Sequence, residues 1–401
     1  MEPHMRESLI KFIKDSEFIV VDTETTGLNT RKDKIIGVGL YNGTESHYIS
    51  LWEYNVKTEK LEAKPALECV KEVLQHLKGK KLIAFNWSFD GRMIKNSLGV
   101  DLIDDIHTDV LLLKHCCDEN FPFGLKEIAS NLFGHEVKAE KEAMKESIKA
   151  NGGGATEYYK ADPQLLMKYC LQDCLLTYKI YNHYAKDLKR QGLENFYYNE
   201  EVLPLYKTVT IPMEERGIRL NMAAVTEANE DIKADIEVLE HHIQKSIRPH
   251  LSLFTEWFLN KDYPPQTPKG KQPVWAKKGL TQLEAWQKDY PETSYMFNLL
   301  SKHHLKKLFF DTLKETPLNK TDLGSPQVDE EFLELMSAKY DWAAQLIVYN
   351  KLIKLKGTYI ERFLEEQEDG IFYPSFMQHR TVSGRYAGDL QQLPRPIEPG
   401  V

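Results

Sequence analysis

Five residues have the types and spacing to carry chemistry: Asp22, Glu24, Asp90, Tyr169 and Asp173. Asp22 and Glu24 stand two apart at the end of an apolar run, FIVVD, that reads as a buried strand. A strand repeats every two residues, so both carboxylates point to the same face. Such a pair repels itself in a dry site, which implies a cation, a shared proton or exposure to solvent. Asp90 follows Asn86 in NWSFDG, just after the apolar run KLIAF. Tyr169 and Asp173 are four apart in a helical pattern and so share one helix face. Each feature is weak alone, because a lone DxE is commonly a solvated turn and YxxxD is abundant in helices.

The elements that must position these residues are legible as pattern. IIGVGLY and HYISLW continue a sheet begun by FIVVD, with Asn42-Gly43 as the turn signal between them. PALECVKEVLQHLKG reads as a helix with proline at its start and glycine after its end. KLIAFN is a further strand, leading into a helix over Phe89 to Leu98. FGLKEIASNLFG and the long PQLLMKYCLQDCLLTYKIYNHYAKDLKRQG are helical, whereas the pattern of DIHTDVLLLKHC leaves strand and helix both open. Roughly the first 195 residues therefore predict a mixed sheet with helices around it. Beyond Leu203 the pattern is mainly helical, with helical stretches again at Lys302–Leu313, Asp329–Tyr340 and Ala343–Glu366. PPQTPKGKQPVWAKKG interrupts it, and its prolines and glycines predict an exposed connection or insertion. Lys261, Lys269, Lys271, Lys277 and Lys278 in this stretch form a solvent-facing loop or touch a phosphate backbone. The end of the chain, from Gly370, reads as short strands and turns.

Composition bounds the answer. A chain of 401 residues holds two or three structural units rather than one growing core. A formal net charge of −8 argues against a uniformly basic surface but is compatible with a local groove. Cys69, Cys116, Cys117, Cys170 and Cys174 form no CxxC pair and leave one over, so free thiols in a reducing compartment are expected rather than a disulfide framework or zinc site. His107 and His135 belong to no metal-binding histidine motif. No stretch reaches the roughly 20 apolar residues needed to span a bilayer. The N-terminal residues lack a secretion signal, so the expected setting is cytoplasmic or another compartment inside a host cell.

The order DxE, NxxxD, YxxxD is far more specific than its parts. FIVVDTETTG, IAFNWSFD and YCLQD resemble the three motifs of the DEDD-type 3′–5′ exonucleases, in the branch with tyrosine in the last motif. The resemblance implies an α/β, ribonuclease H-like fold. It implies two divalent ions, Mg²⁺ or Mn²⁺, held by Asp22, Glu24, Asp90 and Asp173, with Asp22 bridging, Glu24 and Asp173 completing one shell and Asp90 serving the other through water. Tyr169 would position the attacking water rather than deprotonate it, since a phenol titrates near 10. Thr25, Thr26 and Leu28 would bound the terminal-nucleotide pocket, Asn86 and Phe89 would hold the second motif or contact DNA, and Asp109 would tune or cap the site.

A second resemblance covers most of the remainder. LPLYKTVTIPMEERGIRLN resembles the region that joins the exonuclease to the thumb in family A DNA polymerases, and KHHLKKLFFDTLKETPL, GSPQVDEEFLELM and YNKLIKLKGTYIERF continue that thumb-like order. FYPSFMQHRTVSGRYAGDLQQLP resembles the segment that leads into the palm. The implied layout is an exonuclease domain over 1–195, a helical thumb-like region over 196–370 with an irregular insertion near 254–298, and an incomplete palm over 371–401. Lys351, Lys354, Lys356, Arg380, Arg385, Gln391 and Gln392 are the implied duplex contacts. No DYSQIE-like or HDE-like segment and no lysine–tyrosine fingers helix is present, so this chain is expected not to polymerise DNA. It is then either a piece of a longer protein or one part of a split polymerase, with palm and fingers on a separate polypeptide. The expected function is a proofreading-derived, metal-dependent 3′–5′ exonuclease that releases nucleoside monophosphates from DNA with a free 3′ end, and no membrane is involved. An RNA-processing exonuclease and a noncatalytic DNA-binding subunit are the alternatives left open.

Overall fold

Alternating and continuous apolar runs set the strands of the central sheet. In the computed structural model, which describes residues 3–64, 67–134, 136–154, 156–251, 257, 259–261, 263–267, 270–289, 297–391 and 393, FIVVDTET forms β1 (Phe18–Thr25). Ile19, Val20 and Val21 are buried there, and each fully buried aliphatic side chain contributes roughly 1.5–3 kcal/mol relative to exposure. β2 (Ile35–Tyr41) and β3 (Ser46–Ser50) follow as antiparallel neighbours. β4 (Trp52–Asn55) and β5 (Lys60–Ala63) pair as a separate hairpin, and the helices α1 (Pro3–Asp15) and α2 (Leu67–Gln75) precede β1 and β6. β6 (Lys81–Ala84) and β7 (Ile106–Asp109) add to the other side of β1 in parallel, giving the order β3-β2-β1-β6-β7. β1 is central, so the acidic pair toward its C-terminal end rises from the middle of the sheet.

The ambiguous DIHTDVLLLKHC is both things: β7 ends at Asp109, and α4 (Val110–Cys117) begins at once. Asp109 caps that helix by accepting from the backbone N–H groups of Leu111 and Leu112. β6 leads into α3 (Trp87–Leu98), which starts one turn before Asp90. α5 (Leu125–Phe133), α6 (Val137–Ala150) and the 29-residue α7 (Pro163–Gln191) complete this layer. α7 begins with Pro163 behind an Asp162 cap and ends at Gly192 in the left-handed region. This is a ribonuclease H-like exonuclease fold, a mixed sheet with flanking helices, followed by a largely helical region.

The chain divides into two compact units, and the first runs further than 1–195. It comprises Met1–Gly217 together with Pro374–Gln391. The physical reason is a set of buried hydroxyls and one buried acid. Tyr197 is fully buried and donates to the carbonyl of Asp109 at 2.7 Å. The Tyr206 hydroxyl accepts from the backbone N–H of Ser88 at 2.6 Å. Glu214 accepts from the Ser88 hydroxyl at 2.6 Å and from the Phe376 N–H at 2.7 Å, and pairs with Arg92 at 3.2 Å. The palm-like tail is further tied down by His115 Nε2, which donates to the Thr381 carbonyl at 2.9 Å.

The second unit, Ile218–Tyr373, is built on the helix Met222–Ile247 and the helices Glu330–Ser337 and Asp341–Leu355. Its core is aromatic: Phe309 packs edge-on to Phe332 at 5.0 Å and against Trp342 at 5.1 Å. The stretch expected as an exposed insertion is only partly so. Tyr263, Trp286 and Phe297 are buried in this core, and the helix Gln282–Asp289 carries Trp286. The proline-rich surface pattern hid three aromatic anchors spaced too widely to show a period. Lys271, Lys277 and Lys278 are exposed, Lys261 lies over the Trp257 ring at 5.0 Å, and Lys269 lies outside the described residues.

Candidate active site

The sheet register builds the site. Asp22 pairs with Gly39 and Glu24 with Gly37, and directly opposed residues in a ladder share a face. The two glycines make room for different neighbours. A Cβ on Gly39 would lie 2.7 Å from the Cys170 sulfur and 2.9 Å from that of Cys174, whereas a Cβ on Gly37 would run into the Tyr48 side chain of β3. Gly39 thus lets α7 approach closely enough to bring Asp173 and Tyr169 to β1. Cys170 Sγ comes within 3.3 Å of Asp22 Oδ2. Asp22, Glu24 and Cys170 offer ligand atoms that all lie within 4.8 Å of one another.

Asp90 reaches the same nest from α3 and is fixed by the strand. Its Oδ1 accepts from the Thr23 N–H at 3.0 Å and from the Thr23 hydroxyl at 2.5 Å. From sequence Thr23 belongs with Thr25, Thr26 and Gly27 to a polar, compact turn; in the structure it lies within β1, between the two acids, and holds Asp90. The turn that delivers α3 needs Asn86 in the left-handed region, φ 65°, a conformation asparagine tolerates. Asp109 stabilises that turn by accepting from the N–H groups of Asn86 at 3.3 Å and Trp87 at 2.7 Å. It caps one helix and the start of another, one strand away from the acidic pair.

The electrostatics are those of a crowded anion nest. Burial pushes Asp22 well above the usual carboxylate range, and Cys174, Asp90, Asp173 and Glu24 act in the same direction. Burial likewise raises Glu24, reinforced by Asp173 and opposed by Lys126. Burial takes Asp90 up to about 7 against the two Thr23 hydrogen bonds. Tyr169 is pushed up to about 12 by burial and Asp173, so its phenol is protonated at neutral pH. Lys126 belongs to none of the three sequence motifs. It is 7% exposed, and its Nζ lies 3.0 Å from Asp173 Oδ1 and 3.1 Å from the centre of the Tyr169 ring. Burial pulls its pKa down, but Asp173 and Tyr169 outweigh this and hold it above the usual lysine value.

The remaining candidates are placed as follows. Thr25 donates to the Gly27 carbonyl at 2.7 Å and Thr26 to Asp33 at 2.8 Å, so both hydroxyls shape the turn after β1. Leu28 projects from it, 87% exposed. Asn86 is exposed and Phe89 is half-buried against the main core. His107 stacks on Tyr198 at 5.1 Å, and His135 lies outside the described residues. The basic and amide residues expected along a duplex divide between the two units. Lys351 pairs with Glu330 at 2.7 Å and Lys356 with Glu361 at 3.0 Å. Lys351 and Lys354 line a cavity of about 210 Å³ in the helical unit. Arg380 and Arg385 are exposed in the first unit, and the Gln391 side chain is turned back to the Tyr386 carbonyl. Gln392 lies outside the described residues.

A hard divalent cation fits this nest. The donors are mainly carboxylate oxygens, and their mutual repulsion is what a cation relieves. The Cys170 thiol is the one soft donor in the group.

Comparison with known proteins agrees with this geometry. Residues 3–189 match the family described as 3′-5′ exonuclease, and residues 275–398 match DNA polymerase family A. DNA polymerase I of Borreliella burgdorferi is 24% identical over 407 residues, which cover 98% of this chain and 37% of that protein. The DNA polymerase of Escherichia phage T5 is 25% identical over 422 residues, covering 98% of this chain and 43% of that one. The chain thus spans less than half the length of both relatives. The solved POL domain of Pol1 from M. smegmatis, in complex with DNA primer-template and dNTP, superposes with a TM-score of 0.62 at 14% identity, covering 99% of this chain and 56% of that one. The first unit therefore carries a DNA polymerase I-like 3′–5′ exonuclease domain, and the C-terminal region is polymerase-domain-like. No described helix is long and apolar enough to cross a membrane.

Proposed function

We propose that this chain hydrolyses the terminal phosphodiester bond at the 3′ end of DNA, releasing nucleoside monophosphates, and that it derives from a proofreading enzyme. The observation that carries the reading is the nest of Asp22, Glu24, Asp90 and Asp173, four acids from three separate elements converging where burial alone would disfavour every one of them. In this reading the four would hold two divalent ions, Mg²⁺ or Mn²⁺. The ions supply Lewis acidity, lowering the pKa of water and offsetting charge on the leaving 3′ oxygen.

The chain's own residues do the rest. Tyr169, protonated at neutral pH, orients the attacking water through its hydroxyl and takes no proton. Thr23 fixes the Asp90 carboxylate against rotation. Leu28 offers exposed apolar surface to the terminal base, while Thr25, Thr26, Asn86 and Phe89 border the same pocket. Lys351, Lys354, Lys356, Arg380, Arg385, Gln391 and Gln392 contact the duplex backbone and grooves. The match of residues 275–398 to a DNA polymerase family supports DNA over RNA as substrate. The 401 residues hold no palm or fingers motif, so primer extension is not assigned to them; palm and fingers would be supplied by the rest of a longer protein or by a separate palm-fingers polypeptide.

The test is digestion of 3′-labelled and 5′-labelled single strands with Mg²⁺ or Mn²⁺, beside matched RNA and a primer-extension reaction. Mononucleotides released from the 3′ label are expected, with the Asp22→Ala, Glu24→Ala double variant inert. Release from the 5′ end alone overturns the polarity. Binding of DNA without hydrolysis under either metal leaves a noncatalytic DNA-binding subunit as the reading.

A further inference from the structure

Among the described residues of the first unit two lysines are deeply buried, and their surroundings differ. Lys114, 2% exposed, pairs with Asp118 at 3.1 Å and donates to the carbonyls of Asp118 and Asn120. Its partners are the loop that ends its own helix, so it is a structural cap. Lys126 closes no loop. It leaves the second position of α5, and its Nζ meets Asp173 at 3.0 Å, Glu140 at 3.2 Å and the face of Tyr169 at 3.1 Å. Glu140 comes from α6, whose Met144 and Ile148 pack with Ile36 and Leu166 beside Tyr169.

Stability does not account for a lysine there. An ammonium buried beside carboxylates loses in desolvation much of what it gains in attraction, and an apolar side chain of similar volume is often as good or better. What the ammonium does that methionine could not is hold two groups at once. Tyr169 and Asp173 are one helical turn apart on α7, and one cation engages the ring of the first and the carboxylate of the second. A ring under a cation is fixed in its plane, and a carboxylate paired on one oxygen presents the other in a set direction.

We propose that Lys126 is a positioning residue for the hydrolytic site, setting the Tyr169 ring and the Asp173 carboxylate in register with Asp22 and Glu24. The inference rests on the exonuclease reading above. It has two separable consequences. Loss of the ammonium loosens the tyrosine and slows turnover, while substrate affinity is little changed. The same loss removes a positive charge beside Asp173 and Glu24, so a divalent cation binds more tightly to the protein without DNA.

The experiment uses the full chain with Lys126→Met and Lys126→Arg. Steady-state release from a 3′-labelled single strand gives kcat and KM, Mn²⁺ titration of the DNA-free protein by electron paramagnetic resonance gives affinity, and thermal melting reports folding. Lys126→Met is expected to lower kcat roughly 10- to 100-fold with KM within about threefold. Its Mn²⁺ affinity rises by roughly threefold or more. Lys126→Arg, which keeps the charge, returns the Mn²⁺ affinity and recovers most of the rate. In a Tyr169→Phe background the loss caused by Lys126→Met shrinks, because the group being positioned is already gone.

The inference is overturned if Lys126→Met turns over within about twofold of the parent, or if folded Lys126→Arg matches Lys126→Met in both rate and Mn²⁺ affinity. A parent chain that releases no nucleotide, while Lys126→Met still tightens Mn²⁺ binding, sinks the exonuclease reading instead. The two failures are thereby distinguishable.

Discussion

The two units solve the problem of a core in opposite ways. Among the described residues, the buried polar and charged side chains of the helical unit are Gln244, which donates to the Phe297 carbonyl, and His304, which packs edge-on to the Phe297 ring. The exonuclease unit buries Glu24, Asp90, Asp109, Asp173, Lys114, Lys126 and Glu214. Burying a charge costs several kcal/mol unless it is paired or bound to a cation, so the first unit carries a standing electrostatic load that the second avoids. Where the load is matched, as between Glu214 and Arg92, it joins segments. Where like charges are left together, as at Asp22 and Glu24, it marks a place built for something that is not protein.

The sharpest way to break this contrast is to remove the unmatched acids. Asp22→Ala with Glu24→Ala is expected to lower nucleotide release by on the order of 10³-fold or more, yet to raise the melting temperature of the first unit in chelator. A lower melting temperature would mean that the acids serve the fold. The reverse experiment is Trp342→Ala in the helical core. It should cost roughly 3–5 kcal/mol in that unit's stability, measured by denaturant unfolding, with hydrolysis of a short single strand changed less than twofold. A comparable loss of hydrolysis would show that the units do not work separately.

Thr23→Val leaves the buried Asp90 without its hydroxyl donor. A loss of roughly 1–3 kcal/mol in stability is expected, with kcat down by about tenfold; an unchanged kcat removes Thr23 from the site. The pH response follows from the raised carboxylates. Asp90, at about 7 when folded, binds a proton that its unfolded counterpart releases near the ordinary value of 3.8. That stabilisation is complete below the unfolded value and is lost as pH rises through about 7. Melting in chelator should therefore fall between mildly acidic and neutral pH, and saturating Mn²⁺ should flatten or reverse the trend. A metal-free profile that rises over this range contradicts the anion nest. The smallest effect concerns the duplex contacts. Lys354→Ala should change stability by less than about 1 kcal/mol and reduce the slope of log affinity against log salt by about one for duplex DNA; an unchanged slope removes Lys354 from the interface.

The sequence by itself determined the chemistry of the first unit. Motifs confined to one element are legible because their geometry is local: a two-residue step on a strand or a four-residue step on a helix fixes which side chains share a face. Hence Asp22 with Glu24, and Tyr169 with Asp173, could be paired without coordinates, and the strands and long helices followed from apolar period. Only the tertiary structure decided what crosses between elements. Thr23 holding Asp90, Gly39 admitting α7, Lys126 spanning Tyr169 and Asp173, and the tail returning to Glu214 all join residues far apart in sequence. Tyr263, Trp286 and Phe297 reach the helical core from a stretch whose prolines and lysines read as surface. Such contacts leave no periodic trace, because each is one side chain meeting another at a distance along the chain that only the completed packing makes short.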